Sequence, residues 1–216
     1  MIEIIPAIIP KSYDDMEMRV ASLEDSASTI QIDITDGVCV PSTSWPYNVA
    51  SHTDIALPNN KDIFYEIDLM VAHPFDAVSD WMDVGARRFI FHDYSEELFS
   101  TITTLHENDC EVGIAIQADT SFDIFRKFLL HIDIIQCMGI ARIGFQGQDF
   151  DARILTTIAS LKEEWDGVIS VDGSVNKETC VSLIESGATR LVVGSAIFST
   201  DNPKEAFLEI QAKCGE

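Results

Sequence analysis

Eight short runs rich in isoleucine, valine and phenylalanine recur along the chain. They are IEIIPAII at 2–9, TIQIDI at 29–34, FYEIDLMV at 64–71, RRFIFH at 87–92, EVGIAIQ at 111–117, IDIIQCMG at 132–139, GVISVD at 167–172 and TRLVVG at 189–194. Runs of this length and composition predict strands. Between them lie segments with helical spacing: YDDMEMRVASLE, PFDAVSDWMDVG, SEELFSTITTLHEN, SFDIFRKFLLH and NKETCVSLIESG. Ser95, Ser121 and Asn176 stand where an N-cap would, with short side chains able to accept from the free amides of a first turn. The weakest helical pattern follows the second strand, around WPYNVASHTDIAL.

Strands that are nearly continuous in apolar residues call for burial on both faces, and strict alternation of strand and helix calls for a parallel sheet. Eight such units in 216 residues predict a (β/α)8 TIM barrel, a parallel eight-stranded barrel formed by a single domain over residues 1–216. The competing architecture, an open doubly wound sheet, has a glycine-rich turn after its first strand; here that turn reads IPKSYDD.

Composition narrows the function classes. A hydrophobic content of 46% fills a sizeable core, and no run approaches the roughly eighteen apolar residues that cross a bilayer. The N-terminus has no basic segment followed by a small-residue cleavage site, so a cytoplasmic location is expected. Five scattered cysteines without a CxxC pair argue against a disulfide framework or a zinc knuckle. A formal charge of −22 repels nucleic acid and anionic membranes, which removes both as expected partners. Any phosphorylated ligand must therefore be held by local dipoles.

In a barrel, the C-terminal ends of the strands converge on one mouth where active sites lie. Strand two brings Gln31, Asp33 and Asp36 there, strand three Asp68, strand four His92 and strand seven Asp172. The period of two puts Gln31 and Asp33 on the same face. Asp33, Asp68 and Asp172 then form an acidic cluster, which predicts either a metal ion or strongly raised pKa values. The alternative is that some of them cap helices or pair with a basic side chain such as Arg142. After strands seven and eight come Gly173-Ser174 and Gly194-Ser195. Glycine admits close approach of an anion and the amides of a helix start offer free donors, so this pair of loops predicts a phosphate cradle.

In order along nearly the whole chain, IPAII, IDITDGVCVP, IDLMVAHP, FIFH, VGIAIQADTS, GFQGQDF, VDGSVNKET and GATRLVVGSAIFS resemble the ribulose-phosphate 3-epimerase family. The resemblance implies epimerisation at C3 of a ketopentose 5-phosphate, with Asp33 and Asp172 as the acid–base pair around an enediolate and a divalent metal beside it. It implies an apolar cap from Met70 and Met138, with Thr35 in a third such place. It also implies phosphate binding by Gly144, Phe145, Gln146, Gly147, Gly173, Ser174, Gly194 and Ser195. His92 matches a family histidine.

Several positions depart from the family pattern. Two metal-ligand histidines are replaced by Gln31 and Asp68, a substrate-contacting serine by Ala7, and the loop after strand six, GIARIGFQGQDF, is one residue longer and carries Arg142. A metal set of Gln31, Asp33, Asp68 and Asp172 is all oxygen, which suits Mg²⁺ or Mn²⁺ better than Zn²⁺. The opposing expectation is a phosphosugar-binding barrel with lost metal and lost or altered catalysis, acting as a non-catalytic or regulatory homologue. A hexulose-phosphate synthase or decarboxylase would want a lysine in the third strand, and IDLMVAHP has none. Such barrels associate through apolar patches, so a homo-oligomer is expected; Trp45, Trp81 and Phe75 are candidates either for that patch or for the core.

Overall fold

The computed structural model describes residues 2–23, 26–49, 54–60, 62–92 and 94–214. All eight predicted strands form, with ends within two residues of the predicted ones. They are β1 (Glu3–Ile8), β2 (Thr29–Thr35), β3 (Phe64–Met70), β4 (Arg88–Phe91), β5 (Glu111–Ile116), β6 (Ile134–Met138), β7 (Val168–Asp172) and β8 (Arg190–Val193). Every neighbouring pair is parallel, and β8 returns to β1 to close the barrel.

Both faces of the strands are buried, but by different chemistry. In β2, Ile30, Ile32 and Ile34 point out into the core shared with the helices, whereas Gln31 and Asp33 point into the lumen. β3 repeats this with Ile67 and Leu69 outside and Glu66 and Asp68 inside. The lumen therefore alternates against a uniformly apolar outer face, contrary to the near-continuous apolar strands expected. Its apolar content includes two patches, Ile5–Ala7–Val192 and Ile90–Ala115–Ile134–Met138.

At the closed end the lumen is plugged by side-chain ion pairs. Arg88 donates to Glu66 at 3.0 Å and Glu111 at 2.6 Å, and Arg190 donates to Glu3 at 2.8 Å. Conserving charge pairing here leaves the opposite end, where the strands finish, as the open mouth.

The helices are α1 (Tyr13–Ser22), α2 (Pro74–Asp83), α3 (Glu97–Glu107), α4 (Phe122–Phe125), α5 (Arg153–Glu164), α6 (Cys180–Ser186), α7 (Ser195–Phe198) and α8 (Pro203–Cys214). α5 falls in a stretch where the sequence reading named no helix; it buries Ile154, Ile158 and Leu161 at helical spacing. The expected helix over 121–131 shrinks to α4 and a 3-10 turn, Arg126–Phe128. Phe122, Phe125 and Phe128 face the core at a period of three, which a 3-10 turn stacks on one side. Glu96 and Thr179, rather than Ser95 and Asn176, hold the N-cap positions of α3 and α6. Asn176 instead accepts from the amides of Glu178 and Thr179 in the turn before α6. Ser121 does precede α4, without a side-chain capping bond.

No helix occurs among the described residues between β2 and β3; residues 50–53 of the weak WPYNVASHTDIAL stretch lie outside them. Trp45 and Trp81 are buried edge to face, and Phe75 stacks on Phe91, so these aromatics serve the core. Four of the five cysteines are buried and all are thiols. Among the described residues no helix is long and apolar enough to cross a membrane.

Candidate active site

Parallel register sets the acids at one level: Asp33 on β2 lies opposite Asp68 on β3, and Met138 on β6 opposite Asp172 on β7. One carboxylate oxygen from each of Asp33, Asp68 and Asp172 lies within 4.8 Å of the others. Asp33 and Asp68 are buried, and Asp172 borders the cavity. Among the described residues no lysine or arginine forms an ion pair with any of the three. Arg142, the basic side chain considered for that role, is exposed.

Neutral and imidazole groups hold the acids instead. Gln31 Nε2 donates to Asp33 Oδ1 at 2.7 Å and to Asp172 Oδ2 at 3.1 Å. His92 Nε2 meets Asp68 Oδ1 at 2.7 Å, and Gln136 Nε2 donates to Asp68 Oδ2 at 3.2 Å. Gln136 carries no signal in the sequence, because a glutamine two residues before a strand end gains meaning only once the register is known. Burial, then repulsion from Asp172 and Asp68, pushes Asp33 well above the ordinary carboxylate range. Burial and the charge of Asp68 push Asp172 up to about 7, against the opposing hydrogen bonds from Gln31 and the Gly173 amide.

Asp36 does not join this cluster. Its carboxylate accepts from the amides of Val38, Cys39 and Ala72, which hold its pKa low despite partial burial. It ties the loop after β2 to the end of β3.

The donor set fits a divalent cation. Three carboxylates converge without a cationic partner, and Gln31 Oε1 is a buried acceptor with no hydrogen-bond partner. Hard cations take oxygen ligands of this kind at about 2.1–2.6 Å.

Above the acids opens a cavity lined by Asp33, Asp172, Met70 and Met138 on one side. The other side is lined by Gly144, Phe145, Gln146, Gly147, Gly173, Ser174, Gly194 and Ser195. Gly173 and Ser174 are consecutive residues at positive φ, +99° and +55°. A Cβ on Gly194 would collide with Gln146 Nε2, so the absence of a side chain there lets Gln146 lie in its observed place. Gln146 Nε2 also donates to the Ala7 carbonyl at 3.3 Å, and Ser42 Oγ donates to the Gly144 carbonyl at 2.6 Å. The loop after β6 is thereby drawn across the mouth.

Four of the named residues lie outside the cavity lining. Ala7 is buried behind the cavity, and Ile9 lines it instead. Thr35 is buried without joining Met70 and Met138 at the cavity wall. Gln31 and Asp68 lie beneath the cavity floor. Ile140, Val175 and Val192 complete the lining as apolar residues indistinguishable in the sequence from core.

A sequence model of the ribulose-phosphate 3 epimerase family matches residues 3–198. The chain belongs to that family. It is 28% identical over 220 residues to the ribulose-phosphate 3-epimerase of Bacillus subtilis (strain 168), covering 98% of this chain and 99% of that protein. To the ribulose-phosphate 3-epimerase of Chlamydia muridarum (strain MoPn / Nigg) it is 30% identical over 200 residues, covering 88% and 86%. Among solved structures, orotidine 5'-phosphate decarboxylase from Pyrococcus horikoshii OT3 superposes with a TM-score of 0.69 at 15% identity, over 99% of each chain. That likeness speaks for the barrel fold of this epimerase-family member.

Proposed function

We propose that this barrel epimerises a ketopentose 5-phosphate at C3, interconverting ribulose 5-phosphate and xylulose 5-phosphate. The observation that carries the reading is the pair Asp33–Asp172: two carboxyls from opposite sides of one mouth, both with raised pKa, facing a cavity with glycine-rich loops on its far wall. The proton on a carbon beside a ketone is acidic because the enediolate that remains spreads its charge over two oxygens. Inverting that carbon requires a base on one face and an acid on the other. A carboxyl pair whose hold on protons is raised by burial and mutual repulsion supplies both, and each direction of reaction exchanges the two roles.

The loops at 144–147, 173–174 and 194–195 hold the phosphate through backbone amides, which act at short range whatever the net charge. Met70 and Met138 cover the planar intermediate with apolar, polarisable surface and keep water from reprotonating it. A divalent cation, on which this family depends, would be held by Asp33, Asp68, Asp172 and Gln31 and would supply positive charge beside the enediolate oxygens. With no nitrogen or sulfur in that set, Mg²⁺ or Mn²⁺ is favoured over Zn²⁺.

The test is proton exchange. Protein supplied with Mg²⁺ or Mn²⁺ is incubated with ribulose 5-phosphate in D₂O, and the C3 proton and xylulose 5-phosphate are followed by NMR. Loss of the C3 proton with appearance of the epimer is expected. Phosphosugar binding without exchange would instead favour the non-catalytic binding barrel.

A further inference from the structure

One buried side chain makes opposite demands at its two ends. Both amide hydrogens of Gln31 are directed at the acid pair, one to Asp33 Oδ1 and one to Asp172 Oδ2. Oε1 of the same carboxamide is buried with no partner. Gln31 is fully shielded, so bulk water serves neither end. The nitrogen can only donate and the oxygen can only accept, and it is the oxygen that a hard cation binds. Across the β1–β2 pair the neighbour in register is Ala7, which brings only a methyl group to that level of the lumen.

We propose that Gln31 is a two-position element of the cation site. Without a cation, Nε2 clamps Asp33 and Asp172 together. With a divalent cation bound, a half-turn about Cγ–Cδ would bring Oε1 to the place Nε2 held and offer it as an oxygen ligand alongside the three carboxylates. The turn exchanges two charge-assisted hydrogen bonds for one ligand bond. The cation is therefore held less tightly than by a side chain that offers oxygen from the start, and the acids stay assembled when it leaves. The inference rests on reading Asp33, Asp68 and Asp172 as a cation site.

The test follows the side-chain amide signals of Gln31 in ¹⁵N-labelled, metal-stripped protein, assigned by their absence from Gln31→Glu. They should lie downfield and exchange slowly with solvent, and should move upfield as Mg²⁺ is added. In parallel, Mn²⁺ binding is titrated by electron paramagnetic resonance. Gln31→Glu, which offers oxygen without donating, should bind Mn²⁺ roughly ten-fold tighter than the parent, and Gln31→Leu roughly ten-fold weaker. If Mn²⁺ binds the parent while the Gln31 signals stay fixed, the two-position role is overturned and the cation site stands. If the parent binds no Mn²⁺, the site falls and the role with it.

Discussion

His92 Nε2 lies 2.7 Å from Asp68 Oδ1, an imidazole at the end of β4 against a carboxylate wholly buried in β3. Together with Gln136 on the other oxygen it fixes the plane of that carboxylate. Removing such an orienting partner costs a metal site about 10–100-fold in affinity. His92→Ala is therefore expected to weaken Mn²⁺ binding by that factor while the far-ultraviolet circular dichroism stays native.

Asp33→Asn and Asp172→Asn each keep shape and remove a proton carrier. Each should lower the rate of C3 exchange by roughly 10²–10⁴-fold. Each also removes one member of a repelling cluster, so both variants should melt at higher temperature than the metal-stripped parent. Calorimetry and the exchange assay on the same preparations check the two effects together.

Acidity of Asp172 gives a pH dependence of definite sign. Its folded-state pKa is raised from 3.8 to about 7, chiefly by burial and then by Asp68. The folded state thus holds the proton more tightly than the unfolded one. The stabilisation is complete below the unfolded value and is lost as pH rises through about 7. In metal-stripped protein, urea unfolding of the parent should fall relative to Asp172→Asn by about 1–3 kcal/mol across that window, a figure discounted because Asp172 borders the open cavity. A gap that stays constant with pH would show that Asp172 titrates normally.

Gly194→Ala places a methyl group against Gln146 Nε2. The backbone there is at φ −97°, so the substitution brings no left-handed strain. Its effect is to displace Gln146 and crowd the cradle, and the affinity for ribulose 5-phosphate, measured by calorimetry, should fall roughly ten-fold, about 1.4 kcal/mol. The melting temperature should change little.

At the closed end, Arg88→Met leaves Glu66 buried with only the more distant Arg190, at 3.7 Å. Truncating one partner of a buried pair costs about 3–5 kcal/mol. A urea titration should show that loss, with C3 exchange per folded molecule retained because the plug lies away from the mouth.

Much of this architecture was legible in the chain itself. Strand positions were readable because short isoleucine-rich runs separated by polar segments have few other ways to be buried. The approach of Asp33 to Asp172 followed from placing both near strand ends of a closed parallel barrel, where chain-distant residues must meet. α5 lies outside the helical segments read from the chain although Ile154, Ile158 and Leu161 carry its spacing, and the 3-10 turn at 126–128 is hidden because three phenylalanines at a period of three resemble a helix face.

What the sequence alone determined was the set of strands, their parallel closure and the identity of the acids at the mouth, since these depend on local pattern and on the geometry of a barrel. Only the tertiary structure decided what each acid is bonded to: Asp33 and Asp36 stand three residues apart, yet one accepts from Gln31 beside Asp172 and the other ties down a loop. It also decided that Gln31, Gln136 and His92 are the groups that hold the acids. A hydrogen bond depends on distances of a few tenths of an ångström between residues up to 141 positions apart, and such distances are set by register and packing.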